Sequence, residues 1–168
     1  VRVPNGSGTL DSNAATLRIV GTSVILQVPN LVFAEALSLQ GSPVRFNVTA
    51  TSLFSDVTYV QCSSASGDTF AIARTNVDCV ATDDFGGVDR ASFPVQVADT
   101  TPPTIRVPTD PTVFGSADGS VFNYNATATD VVDPDVRAVC SPASGSFFRV
   151  GTSPVTCTSS DRFQNTST

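Results

Sequence analysis

An all-β protein made of two tandem antiparallel β-sandwiches, the second lacking its last strand in cis, is the fold this sequence predicts. Three observations lead to it. Short alternating runs such as "VRFNVTA", "VTYVQC" and "SPVTCTSS" are separated by turn clusters such as "QGS", "SASGD", "DDFGG" and "VDPD", a rhythm of about 8 to 12 residues per strand that suits a sandwich. The chain repeats itself: "GSPVRFNVTAT" from Gly41 falls on "GSVFNYNATAT" from Gly119, a shift of 119 − 41 = 78. Finally, the last strand of the first copy, "ASFPVQV" (residues 91–97), has no counterpart at that shift before Thr168.

Taken in order, residues 1–21 are an N-terminal extension, residues 22–98 the first sandwich and residues 99–168 the second. The extension carries "NAATLRIVG" (residues 13–21), in which Ala15, Leu17 and Ile19 alternate as the side chains of a strand do. "VILQVPN" (24–30) fills the first-strand place of the first copy and, with one residue of slip, matches "TIRVP" (104–108) in the second. "FAEALSLQG" (33–41) suits either one helical turn or an outer strand. The same shift of 78 lays "CSSASGDTF" (62–70) on "CSPASGSFF" (140–148) and continues through Cys79 on Cys157, Asp83 on Asp161 and Phe85 on Phe163. Between the copies, "ADTTPP" (98–103) reads as a short stiff junction, because Pro-Pro presets extended backbone and removes two amide donors.

Composition narrows function. The 168 residues are 40% hydrophobic, 14% charged and 8% aromatic, with net charge −6 and no Lys, His, Met or Trp. Nine scattered Arg offer no phosphate-binding stripe, which argues against nucleic acid and against an anionic membrane surface. Apolar runs such as "VIL" and "LVFA" are far too short for a transmembrane helix. Without His or Lys, and with Glu35 as the single Glu, a hydroxyl nucleophile has no common general base beside it, so no enzyme is expected. The lack of Met points to a processed end or the edge of a larger protein, and a removed signal peptide is the preferred reading.

The four cysteines occur as Cys62 with Cys79 and Cys140 with Cys157, the same separation of 17 twice. One structural disulfide per repeat in an oxidising compartment is the preferred reading, over free buried thiols, and zinc is disfavoured by the lack of His and of C-x-x-C.

These residues resemble the hyalin repeat (HYR) family of extracellular modules. The likeness is carried by "DTTPPTIRVP" (99–108), "ATDVVDPDV" (128–136), "CSPASGSFF" (140–148) and "GTSPVTCTSSDRFQNTS" (151–167), most of the second copy. The first copy departs further, with "TSLFSDV" (51–57) in place of the acidic turn. Where many family members place a second cysteine pair in the terminal strands, this chain reads "IRVP" and "SFPVQV". The resemblance implies an immunoglobulin-like fold and a role in adhesion or extracellular scaffolding, with no catalytic residues to carry over.

Three acids in one turn, Asp130, Asp133 and Asp135, are candidate Ca²⁺ ligands, with Asp83, Asp84 and Asp161 at further acidic turns. Their spacing is not that of an EF-hand, and Asp commonly caps its own backbone, so the turn role is preferred and no cofactor is required. Sequons stand at Asn5, Asn47, Asn125 and Asn165. The shift pairs Asn47 with Asn125, which puts both on the outward face of equivalent strands as candidate glycosylation sites.

A sandwich without its last strand exposes unpaired amides and carbonyls beside an apolar groove, and something must cover them. The spare run at residues 13–21 has the size and the place, just ahead of a first strand, of the missing one. The expectation is an extracellular structural subunit that polymerises head to tail with copies of itself by strand donation, with other surface or matrix proteins as further partners. The alternative is an adhesion or ligand-binding segment of a longer cell-surface protein.

Overall fold

The computed structural model describes residues 24–53 and 55–168, with the backbone of residues 2–5 and 8–11. The candidate donor run at residues 13–21 lies outside the described residues, as does the side chain of Asn5.

Among the described residues the chain is all strand and turn, with no helix. Strands β1 (Arg2–Asn5) and β2 (Gly8–Asp11) form an antiparallel hairpin. Then follow β3 (Val24–Gln27), β4 (Val32–Glu35), β5 (Ser42–Pro43), β6 (Thr49–Ser52), β7 (Val57–Cys62), β8 (Thr69–Phe70), β9 (Arg74–Asp83) and β10 (Val88–Ala98). Past the Pro-Pro junction come β11 (Thr104–Arg106), β12 (Ser120–Phe122), β13 (Thr127–Thr129), β14 (Val139–Ser141), β15 (Ser146–Phe148), β16 (Thr156–Ser160) and β17 (Thr166–Ser167).

The first half is organised by a four-stranded sheet in the order β4-β10-β9-β7, in which β4 runs parallel to β10 and the other neighbours are antiparallel. The segment 33–41, open between helix and outer strand, therefore begins as the outer strand β4. Two smaller pairs, β3 with β6 and β5 with β8, complete the half. Long β9 and β10 alternate as a half-buried sheet requires: Val77, Cys79 and Ala81 face inward from β9, and Phe93, Val95 and Val97 from β10. Leu26, Val44 and Phe70 close the core from the other side, and the Phe46 ring meets Phe93 edge-on with centroids 5.0 Å apart. Val132, from the second half, belongs to the same cluster.

Pairings recur at the shift read from the sequence. Ser42 faces Phe70 in β5-β8, and Ser120 faces Phe148 in β12-β15. Leu26 faces Ala50 in β3-β6, and Ile105 faces Ala128 in β11-β13, which retains the one-residue slip at the first strand. Each disulfide joins directly opposed residues of neighbouring strands: Cys62 in β7 to Cys79 in β9, and Cys140 in β14 to Cys157 in β16, both with Cα atoms 4.0 Å apart.

One glycine turn also recurs. Gly41 and Gly119 have φ of +105° and +131°, and each closes a bridge to the serine three residues back, Ser38 or Ser116. A Cβ on Gly41 would sit 1.8 Å from the Phe70 carbonyl oxygen, and one on Gly119 2.1 Å from that of Phe148. Both the left-handed backbone and the close approach demand glycine.

Candidate interaction edge and acidic junction

β17 meets β16 in the register that β10 takes on β9: Thr166 faces Ser160 as Val88 faces Thr82, and Ser167 faces Ser159 as Asp89 faces Ala81. From Asp89, β10 continues to Ala98, covering β9 along one edge and β4 along the other. β17 reaches Ser167, one residue before the last in the sequence. Residues 110–113, which stand 78 positions after β4, join no ladder.

Burial follows the same division. Val77, opposite Phe93, is fully buried, whereas Val155, its partner at the shift of 78, is 39% exposed. Val44 and Phe70 are buried, and Phe122 and Phe148 at the matching positions are half-buried. At the same shift the positions of Phe93, Val95 and Val97 fall past Thr168. Val113 and Phe114 also stand exposed in the unpaired stretch after 110. β16 beyond the β17 pairing and the stretch after 110 are thus the places where the second half pairs less than the first.

Acidic turns hold the end of each half that carries this edge. Asp83 Oδ1 accepts the amides of Phe85 and Gly87, and Asp161 Oδ1 accepts those of Phe163 and Asn165. Burial alone would raise the Asp83 carboxyl, but the Gly87 amide, the Ser52 and Ser55 hydroxyls and the Phe85 amide outweigh it and hold it below the ordinary value. At the junction, Glu35 at the end of β4 accepts from the Thr100 amide and from the hydroxyls of Thr100 and Thr101. Those bonds overcome its desolvation and lower its carboxyl as well.

Asp99, Asp130 and Asp161 come together at this junction, each offering a carboxylate oxygen within 4.8 Å of the others. Asp99 follows β10, Asp130 follows β13 and Asp161 follows β16, so three chain segments meet there. Asp99 Oδ1 accepts the Thr101 amide, Asp130 Oδ1 accepts the Val132 and Asp133 amides, and the Asn165 side-chain nitrogen bridges Asp99 O and Asp161 Oδ2. Burial pushes the Asp99 carboxyl above its ordinary value. The Thr101 amide opposes the rise, and the charges of Asp130, Asp161 and Glu35 add to it.

Of the three acids grouped by sequence, only Asp130 enters this cluster. Asp133 is buried under Arg162, whose guanidinium approaches it to 2.8 Å and whose amide also donates to it. That side-chain bond, ahead of desolvation, lowers the Asp133 carboxyl and raises the Arg162 guanidinium. Asp135 is exposed and 3.9 Å from the same guanidinium. The spacing of these acids along one turn gave no sign of either arrangement, since Asp99 and Asp161 arrive from distant segments.

Asn47 and Asn125 are both exposed, but neither lies in a strand ladder as expected. Their stretches stay extended and alternate in burial, yet the neighbouring amides of Phe46 and Tyr124 donate to the hydroxyls of Ser66 and Ser144 instead of to a strand. Asn165 is half-buried, with its side-chain nitrogen committed to the two acceptors named above. No helix among the described residues is long and apolar enough to cross a membrane.

Residues 98–168 match the family model described as "HYR domain". The chain is 32% identical over 136 residues to hyalin of Strongylocentrotus purpuratus, covering 76% of this chain and 11% of that protein. It is 29% identical over 166 residues to hyalin of Lytechinus variegatus, covering 93% of this chain and 31% of that protein. It therefore spans at most about a third of these relatives. A structural likeness to protocadherin gamma B7 extracellular cadherin domains 1–4 covers 86% of this chain and 47% of that one, at 11% identity and a TM-score of 0.33. The family match and the two hyalins support the HYR family, and the second alignment takes in the first half of the chain as well.

Proposed function

We propose that this chain is a non-catalytic extracellular structural protein of two tandem immunoglobulin-like HYR sandwiches, and that it assembles head to tail into a filament by strand donation. The observation that carries the reading is the register of β17, which starts the last strand of the second sandwich as β10 starts that of the first. Residues 13–21 of the next copy would continue it. At the shift of 78, Ala15, Leu17 and Ile19 stand for Phe93, Val95 and Val97, the three side chains that fill the first core. Donor and acceptor lie at opposite ends of the chain, so the contact is heterologous and propagates as an open filament. The two disulfides fit an oxidising compartment.

Asn47 and Asn125, exposed at matching positions, are the favoured carriers of N-linked glycans. Asn165 is disfavoured, because a glycan would replace a hydrogen on the nitrogen that bridges Asp99 and Asp161.

Negative-stain microscopy of the purified chain and of a deletion of residues 1–21 tests the reading. Filaments should form from the first and not from the second, while the first sandwich keeps its melting transition. Filaments that persist after the deletion would refute strand donation. A chain that stays monomeric in both forms would favour the other reading, an adhesion segment of a long surface protein, which accords with the small share of each hyalin that it spans.

A further inference from the structure

We propose that Asp99, Asp130 and Asp161 form a binding site for a divalent cation of the Ca²⁺ type at the junction of the two halves. The inference is independent of strand donation. It rests first on geometry: three carboxylates supply oxygens within 4.8 Å of one another, and hard oxygen donors alone suit Ca²⁺. It rests second on an orphaned atom. Asp99 is 6% exposed, and its Oδ2 has no hydrogen-bond partner among the described residues. A buried, unpartnered carboxylate oxygen beside two further carboxylates is costly unless a cation or a proton compensates it. Arg162, the residue after Asp161, is spent on Asp133 and Asp135, and no ion pair to the three acids is present among the described residues.

The first half supplies an internal comparison. At the shift of 78, Ser52 occupies the place of Asp130 and Asp83 that of Asp161. There the Ser52 hydroxyl donates to Asp83 Oδ2 at 3.0 Å, so the turn is closed by a hydrogen bond between neutral donor and carboxylate. In the second half an acid replaces that donor. Asp99 adds a third acid, where the matching stretch of the first half, "IVGTS" (residues 19–23), holds none. The same fold position thus changes from a self-satisfied pair to three like charges, the substitution expected where a cation replaces the hydroxyl proton. Because Asp99 is the residue that joins β10 to the Pro-Pro segment, a bound cation would tie the end of the first half to the β13 and β16 turns of the second.

The test is isothermal titration of the chelator-stripped full chain with CaCl₂, run in parallel on Asp99→Asn and on Asp135→Asn. The expected result is one Ca²⁺ per chain for the native protein and for Asp135→Asn, with at least a tenfold loss of affinity in Asp99→Asn. A rise in melting temperature with Ca²⁺ should follow the same pattern. If Asp99→Asn does not fold, Asp130→Asn, altered at a half-buried position, takes its place. The proposal is overturned if the native chain takes up no Ca²⁺, if the asparagine variants in the cluster bind as tightly as native, or if Asp135→Asn loses binding equally.

Discussion

Asp83 Oδ1 accepts the Gly87 amide at 2.7 Å and so closes the turn that launches β10 across the core. The Phe85 amide and the Ser52 and Ser55 hydroxyls also face it. Its carboxyl is held below the ordinary value of 3.8 despite burial, so the folded state prefers the ionised form. By linkage, the stabilisation is fully present above that ordinary value and is lost as pH falls through the lower folded value. Asp83→Asn should therefore melt lower than native at neutral pH, and the gap should close on acidification below pH 3.8. Melting curves from neutral to strongly acidic pH measure it; a gap that stays constant would mean that Asp83 acts through shape alone.

Gly41 tests the recurring glycine turn. Gly41→Ala drives a methyl into the Phe70 carbonyl, 1.8 Å from the ideal Cβ, at a φ of +105°. Gly67 has a similar φ of +100° but open space around it. Gly67→Ala should cost about 1 kcal/mol or a little more, the conformational part alone, and Gly41→Ala several times as much. Urea unfolding of both variants separates backbone strain from collision.

Each disulfide closes a separation of 17 residues, for which chain-entropy reasoning gives about 3 kcal/mol. In a half-chain unit of this size that is a large part of net stability. The double replacement Cys62→Ala with Cys79→Ala should lower unfolding stability by roughly that amount, plus the lost packing of buried Cys79. Two transitions in the native chain and loss of one in the variant would assign the bridge to its half.

Much of this was legible because the repeat preserves short-range chemistry. Cys62 with Cys79 and Cys140 with Cys157 share one spacing, and Gly41 and Gly119 meet one steric demand, so a single shift of the sequence aligns them. What sequence reasoning missed was made by distant segments. The separation of 31 positions from Asp99 to Asp130, and again from Asp130 to Asp161, matches no helix or loop period, and only the folded ends of β10, β13 and β16 bring these acids together. The pairing of Asp133 with Arg162 was hidden for a related reason, since the two lie 29 positions apart. Asn47 and Asn125 were placed in strands because alternation marks extended backbone, and extended backbone can satisfy itself on serine hydroxyls instead of a neighbouring strand.

The proposed strand donation makes a last prediction, which needs no filament to be seen. Val155, Phe122 and Phe148 are more exposed than their counterparts Val77, Val44 and Phe70, which pack in one cluster with Phe93, Val95 and Val97. A synthetic peptide of residues 13–21 should bind the protein lacking residues 1–21, with Ala15, Leu17 and Ile19 taking those three places. Burying Leu17 and Ile19 contributes roughly 1.5 to 3 kcal/mol each, and the backbone bonds along β16 add to it, before the cost of ordering the peptide. The peptide should therefore raise the melting temperature of the second half and leave that of the first unchanged, and it should block polymerisation of the full chain when added in excess. Leu17→Asp within the peptide places a charge in the groove and should abolish both effects. If the substituted peptide works as well as the original, the edge is not read by these side chains and the assignment of residues 13–21 as donor fails.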